Sequence, residues 1–73
     1  MITPEVIQGL IESGLPGAQV QVTGDGQHFD AIVLSKAFIG KSRVQQHQLV
    51  YATLGDKMRE QIHALSIKTR VPE

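Results

Sequence analysis

Cysteine is missing from all 73 residues. That absence removes disulfide frameworks, thiolate zinc sites and thiol nucleophiles together, and it fits a reducing compartment. No run of about 18 apolar residues occurs, so no membrane-spanning helix is expected. The first residues, MITPEVIQGL, have neither the basic n-region nor the long apolar h-region of a secretory signal, and the expected setting is cytoplasmic. Lysine and arginine are absent from residues 1–30, where Glu5, Glu12, Asp25 and Asp30 set a charge of −4. Residues 31–73 reverse it, with seven Lys and Arg against Asp56, Glu60 and Glu73, so the formal net charge is +0. A pI near 6.8 argues against a dedicated nucleic-acid protein, for which a domain value above about 9 is usual. A local basic surface forms only if the fold gathers those cations.

One domain, residues 1–73, is expected, and a chain this short buries only about 60% of its unfolded surface. The catalytic signatures G-x-S-x-G, H-E-x-x-H and the phosphate-binding P-loop are absent. So small a chain also has little room for a pocket of several hundred Å³ beside its core. An enzyme is not expected.

Thr3 and Pro4 supply an N-cap and a first helical residue, Val6, Ile7, Leu10 and Ile11 form an apolar stripe, and Gly14 with the following L-P-G ends it. This predicts a helix near 4–13. Val20 and Val22 alternate with glutamines, Gly24-Asp25-Gly26 punctuates, and a β-rich run follows from Phe29 to Leu34. A hairpin with strands near 18–24 and 28–35 is predicted. The second strand is apolar on both faces, which puts it at the centre of a sheet with helices over at least one face. Ser42 caps a helix near 43–54, Gly55 ends it, and Asp56 opens another near 56–63. Helical spacing groups Val44, Val50, Tyr51 and Leu54 on one stripe around His47 and turns Leu49 away. His47 is therefore expected as a partly buried histidine, hydrogen-bonded within the core.

In REQIHALSIKTR, residues 59–70, the pattern changes at His63 from helix to strand with no turn residue between. Met58, Ile62 and Leu65 follow helical spacing. Leu65, Ile67 and Val71 then alternate with Ser66, Lys68 and Arg70, predicting a strand at 65–71. The expected class is α+β, in the order α-β-β-α-α-β, with a three-stranded sheet and helices packed on it.

That order, together with FIGKSRVQQHQLVYATLG at 38–55 and IHALSIKT at 62–69, resembles the BolA family over nearly the whole chain. The short, acidic-to-neutral sequence is most similar to the family's bacterial acid-stress branch. One difference is local: Gln46 and Gln48 flank His47 where many relatives carry arginines. The resemblance implies a fold similar to type II KH domains. It also implies a non-enzymatic role with a monothiol glutaredoxin, holding or passing a [2Fe-2S] cluster linked to acid stress. The family's ligand pattern places one histidine before the last strand, matching His63, and one histidine or cysteine in the loop between the first strands, where His28 stands. Some relatives resemble DNA-binding regulators.

Chemistry of the residues is compatible with such ligation. Two neutral imidazoles cannot complete a four-ligand cluster site, so a partner would add the glutaredoxin cysteine and a glutathione thiol. No cluster is expected in the isolated chain, which would be a monomer or weak homodimer. Plainer readings stay open: His63 as a helix-terminal histidine facing the dipole, and His28 as a solvated loop residue. For nucleic acid, a KH clamp needs G-x-x-G, whereas Gly55-Asp56-Lys57-Met58 lacks the second glycine. Weak contacts to a partner or to nucleic acid would fall to Lys36, Lys41, Arg43, Lys68 and Arg70, with a solvated face as the alternative.

Overall fold

The computed structural model describes residues 2–60, 62 and 64–73. Thr3 caps α1 (Pro4–Gly14) by accepting the Val6 N–H on its hydroxyl at 3.3 Å, and Pro4 occupies the first turn where no donor is required. Ile7 and Ile11 are fully buried beneath it. At its last residue α1 meets the next long helix so closely that a Cβ on Gly14 would lie 2.7 Å from Thr53 Cβ. Only glycine fits that crossing.

The sheet is mixed. β1 (Gln19–Gly24) pairs antiparallel with β2 (His28–Leu34), from Gln19 opposite Leu34 to Gly24 opposite Phe29. β3 (Ala64–Arg70) pairs parallel to β2 on its other side, from His28 opposite Ala64 to Leu34 opposite Arg70. β2 is therefore central, as its apolar run predicts. Phe29, Ala31 and Val33 point into the helical layer, and alternation leaves Asp30 and Ile32 on an open face, Ile32 being 41% exposed. The helices cover one face of the sheet only, with Ser66, Lys68 and Arg70 on the open side.

Between β2 and the next helix lies a 3-10 turn, Lys36–Phe38, that the sequence reading does not anticipate. Ser35 nucleates it: its hydroxyl accepts the Ala37 N–H at 3.1 Å, and its own N–H donates to the Arg70 carbonyl at 3.1 Å. The turn drives Phe38 fully into the core. Ser42 then caps α2 (Arg43–Leu54) in a reciprocal box with Gln45, accepting the Gln45 N–H at 3.2 Å and donating its N–H to Gln45 Oε1 at 3.0 Å.

The predicted stripe of α2 is out of phase. Val50 and Leu54 are buried as expected and Leu49 packs on the core, but Val44 and Tyr51 are exposed. The buried face runs through Gln46, Leu49, Val50, Thr53 and Leu54, and two polar members concealed it. Thr53 satisfies its hydroxyl on the Val50 carbonyl at 2.6 Å. Gly55, with φ of 54°, ends the helix and donates its N–H to the Tyr51 carbonyl. The following helix is shorter than predicted: α3 is Lys57–Glu60, and the buried Ile62 closes a wider turn by donating its N–H to the Lys57 carbonyl at 3.0 Å. β3 ends at Arg70, leaving Val71 outside the sheet. Among the described residues no helix is long and apolar enough to cross a membrane.

Candidate functional site

Two regions hold most of the described residues that the sequence singles out, and β3 connects them. The first is the end of the sheet where β2 and β3 both begin. The β1–β2 loop is built on Asp25, whose Oδ1 accepts the N–H groups of Gln27 and His28, each at 2.9 Å. These backbone bonds, His28's first, hold the Asp25 carboxyl below its ordinary value by favouring the charged form. The turn thereby fixes the backbone of His28 while leaving its side chain 77% exposed.

His28 Nδ1 lies 4.0 Å from Asp25 Oδ2, too long for a hydrogen bond and too exposed for a strong ion pair. It is thus held at the backbone, and its ring has no hydrogen bond to another described residue. His28 stands opposite Ala64, whose N–H donates to the Gln27 carbonyl at 3.2 Å. Ala64 follows His63 in the chain; His63 itself lies outside the described residues, as does the predicted helix end at that position. Among the described residues no group of three or more His, Asp or Glu is placed to hold a metal ion. His28 can offer one neutral nitrogen, and any complete site must draw further ligands from elsewhere.

The second region is a groove of about 540 Å³ between α2 and β3, lined by Arg43, Gln46, His47 and the run Ile67, Lys68, Thr69 and Arg70. It corrects the expectation that so small a chain has no room for a concavity of several hundred Å³. The groove forms at the surface between a helix and a strand edge and takes nothing from the core. Three of the five predicted contact cations, Arg43, Lys68 and Arg70, border it, although strand alternation turns Lys68 and Arg70 toward the open face of the sheet. Lys36 instead borders a separate groove of about 640 Å³ with Leu15, Gly17, Gln19, Ser35 and Glu73. The exposed Lys41 lines neither.

His47 is half-buried as expected, but it faces this groove and makes no side-chain hydrogen bond to another described residue. Gln46 is the residue that sequence reasoning missed. Its Nε2 donates to the Lys41 carbonyl at 3.0 Å and to the Phe38 carbonyl at 3.4 Å, while its Oε1 accepts from the Thr69 hydroxyl. A glutamine on the buried stripe was the available signal.

The model of the family described as BolA-like protein matches residues 4–73. The chain belongs to the BolA-like family. Among BolA-like relatives, the acid stress protein IbaG of Escherichia coli strain K12 is 40% identical over 67 residues, covering 90% of this chain and 80% of that protein. A bolA protein homologue from Coxiella burnetii superposes with a TM-score of 0.89 at 45% identity, covering 99% of this chain and 94% of the other. The BolA domain of SufE1 from Arabidopsis thaliana superposes with a TM-score of 0.83 at 31% identity, covering 94% of this chain and 91% of that domain. The α+β architecture read from the sequence is thus the BolA-like fold.

Proposed function

We propose that this BolA-like protein is a non-enzymatic partner of a monothiol glutaredoxin and holds or passes a [2Fe-2S] cluster in the cytoplasm, with His63 and His28 as its own ligands. The observation that carries the reading is the parallel register: His28 opens β2 opposite Ala64, the residue that follows His63 in the chain. One strand end therefore collects the backbone of the loop histidine and the start of β3. A rigid backbone with an exposed ring suits a ligand that must meet donors from a second protein.

This chain supplies imidazole only, and cysteine is absent. The glutaredoxin cysteine and a glutathione thiol would complete two-histidine, two-thiolate ligation, and neutral imidazole in place of thiolate raises a cluster's reduction potential. Imidazole must be neutral to bind metal, so mild acid should weaken the ligand set, which gives the acid-stress link a chemical basis. Mixing the protein with a monothiol glutaredoxin, iron, sulfide and glutathione should yield a heterodimer with a visible cluster spectrum. Failure of both heterodimer and spectrum would remove this reading.

A second reading, DNA-binding regulation, is favoured by Arg43, Lys68 and Arg70 all lying along the exposed β3 edge beside α2. Anisotropy of a labelled duplex at two salt concentrations tests it, since phosphate contacts weaken steeply with salt.

A further inference from the structure

β3 is an edge strand of the sheet, and its outer edge is open. Within a strand the N–H and C=O groups alternate in direction from residue to residue, as the side chains do. The Ala64 N–H donates to the Gln27 carbonyl, and the Arg70 carbonyl accepts the Ser35 N–H. Gln27 and Ser35 flank β2, so Ala64, Ser66, Lys68 and Arg70 spend their backbone groups on the inner ladder. Leu65, Ile67 and Thr69 consequently aim theirs outward, and among the described residues no backbone bond from outside the sheet reaches them. Nor does the tail close the edge, because Pro72 and Glu73 border the other groove, beside Leu15 and Gln19.

The two sides of that edge differ in chemistry. On the helical side lies the groove of about 540 Å³, where Ile67 is only half-buried. Thr69 is tied there to Gln46, which fixes the distance of α2 from the strand. On the open face the exposed side chains along the edge are Ser66, Lys68 and Arg70. β3 contains no acid, and among the described residues neither cation is paired with one. Asp30 of β2 shares a small hollow with Lys68 but forms no ion pair with it. β1 forms the other edge of the sheet, yet its sequence QVQVTG is uncharged and lies within residues 1–30, which carry a charge of −4. Bare edges are templates for an added strand. Of the two, β3 combines an open backbone, a half-buried apolar side chain and unpaired cations.

We propose that the β3 edge takes up an extended, acidic segment of a partner protein as a fourth strand of the sheet. Its acidic side chains lie on the open face beside Lys68 and Arg70, and its alternate, apolar side chains lie over Ile67 in the groove. Main-chain bonds to Leu65, Ile67 and Thr69 supply the affinity, and the alternation of acidic with apolar residues supplies the selectivity. Opposite charges on neighbouring strands stabilise their pairing and like charges oppose it. The cations that hinder a second copy of β3 from adding to this edge therefore favour an acidic strand. The inference uses no histidine and does not depend on cluster ligation.

The test uses the chain alone, without glutaredoxin, and as probe a short capped peptide that alternates valine with glutamate. Titration followed by NMR and amide hydrogen exchange should show saturable binding, with exchange slowed at Leu65, Ile67 and Thr69. Ser66, Lys68 and Arg70 already bond to β2 and should gain little protection, and the amides of β1 none. N-methylating every second peptide nitrogen, in each of the two phases, should abolish binding in one phase only, since alternate nitrogens face β3. These readouts come from the unmodified chain, so no variant's folding can confuse them. Lys68→Glu and Arg70→Glu should each weaken binding about twofold to fivefold, whereas Lys36→Glu, the same charge change at the other groove, should leave it unchanged. No saturable binding, equal effects of the two methylation phases, or protection of β1 in place of β3 would overturn the proposal. So would concentration-dependent protection of the same amides without peptide, which would assign the edge to a second copy of the chain. A single-stranded oligonucleotide that binds there more tightly than the peptide would likewise overturn it, making the edge a nucleic-acid track.

Discussion

The Thr69 hydroxyl donates to Gln46 Oε1, joining β3 to α2 directly across the floor of the groove. Gln46 also donates to the exposed Lys41 carbonyl and to the Phe38 carbonyl, which keeps a second donor in the Lys41 N–H, so its removal chiefly leaves the part-buried Thr69 hydroxyl without its partner. Gln46→Ala should destabilise the fold by about 1–3 kcal/mol, read as a lower urea midpoint at unchanged slope. A loss within experimental error would mean that the contact is incidental.

Gly14 and Thr53 set how closely α1 approaches α2. A methyl at Gly14 would clash first with the Thr53 Cγ2 methyl and also meet Thr53 Cβ at 2.7 Å and Cα at 3.4 Å, so turning the Thr53 side chain would not relieve the clash. Alanine gains up to about 1 kcal/mol in helix propensity, and overpacking costs about 1–3 kcal/mol. Gly14→Ala should therefore be net destabilising, and Gly14→Val more so. A stabilised Gly14→Ala in chemical denaturation would show that the two helices can separate at no cost.

Asp25 governs the loop that presents His28. The carboxyl is depressed mainly by the His28 N–H, then by that of Gln27. A group depressed in the folded state adds its stability above the ordinary carboxylate range and loses it as pH falls through the lowered value. The loop should stay ordered at the mild acidity that protonates histidine and loosen only in stronger acid. Asp25→Ala should accelerate hydrogen exchange at the amides of Gln27 and His28 at neutral pH, with little change at Phe29 and Ala31. Uniform acceleration along β2 would contradict a local role.

The phase of α2 yields a contrast between neighbours. Tyr51→Lys and Val44→Lys should change stability by less than about 0.5 kcal/mol, since both residues are exposed. Leu54→Ala should cost about 2–5 kcal/mol, because Leu54 is buried. Thermal melts of the three variants decide it, and a large loss in Tyr51→Lys would return the helix to the stripe predicted from sequence.

Where local chemistry decided the structure, the sequence was readable. Thr3-Pro4 marked the start of α1, Gly24-Asp25-Gly26 marked the hairpin, Ser42 capped α2, and the alternation of Leu65 and Ile67 with Ser66, Lys68 and Arg70 marked β3. Tertiary partners decided the rest. The polar Gln46 and Thr53 lie inward because β3, Phe38, Lys41 and the helix backbone satisfy them, and periodicity counts such residues as outward. The 3-10 turn at Lys36–Phe38 is too short for any period, and Ser35 holds it through a bond to the distant Arg70. At the candidate sites, five cations were visible, but only the packing of α2 against β3 separated Arg43, Lys68 and Arg70 from Lys36 and Lys41. Likewise His28 and His63 are 35 positions apart, and only the parallel register brings Ala64, next after His63, opposite His28.

The most direct test of the central claim is the visible absorption and circular dichroism spectrum of the glutaredoxin-bound cluster, recorded for the unmodified protein, His28→Ala and His63→Ala from about pH 8 to about pH 5. Each variant should keep an intact fold, at a cost of about 1 kcal/mol, with a labile or spectrally altered cluster in His63→Ala, a smaller change in His28→Ala, and cluster loss in the unmodified complex in mild acid, since imidazole must be neutral to bind metal. A spectrum indifferent to pH and unchanged in both variants would contradict it, removing both histidines from the ligand set.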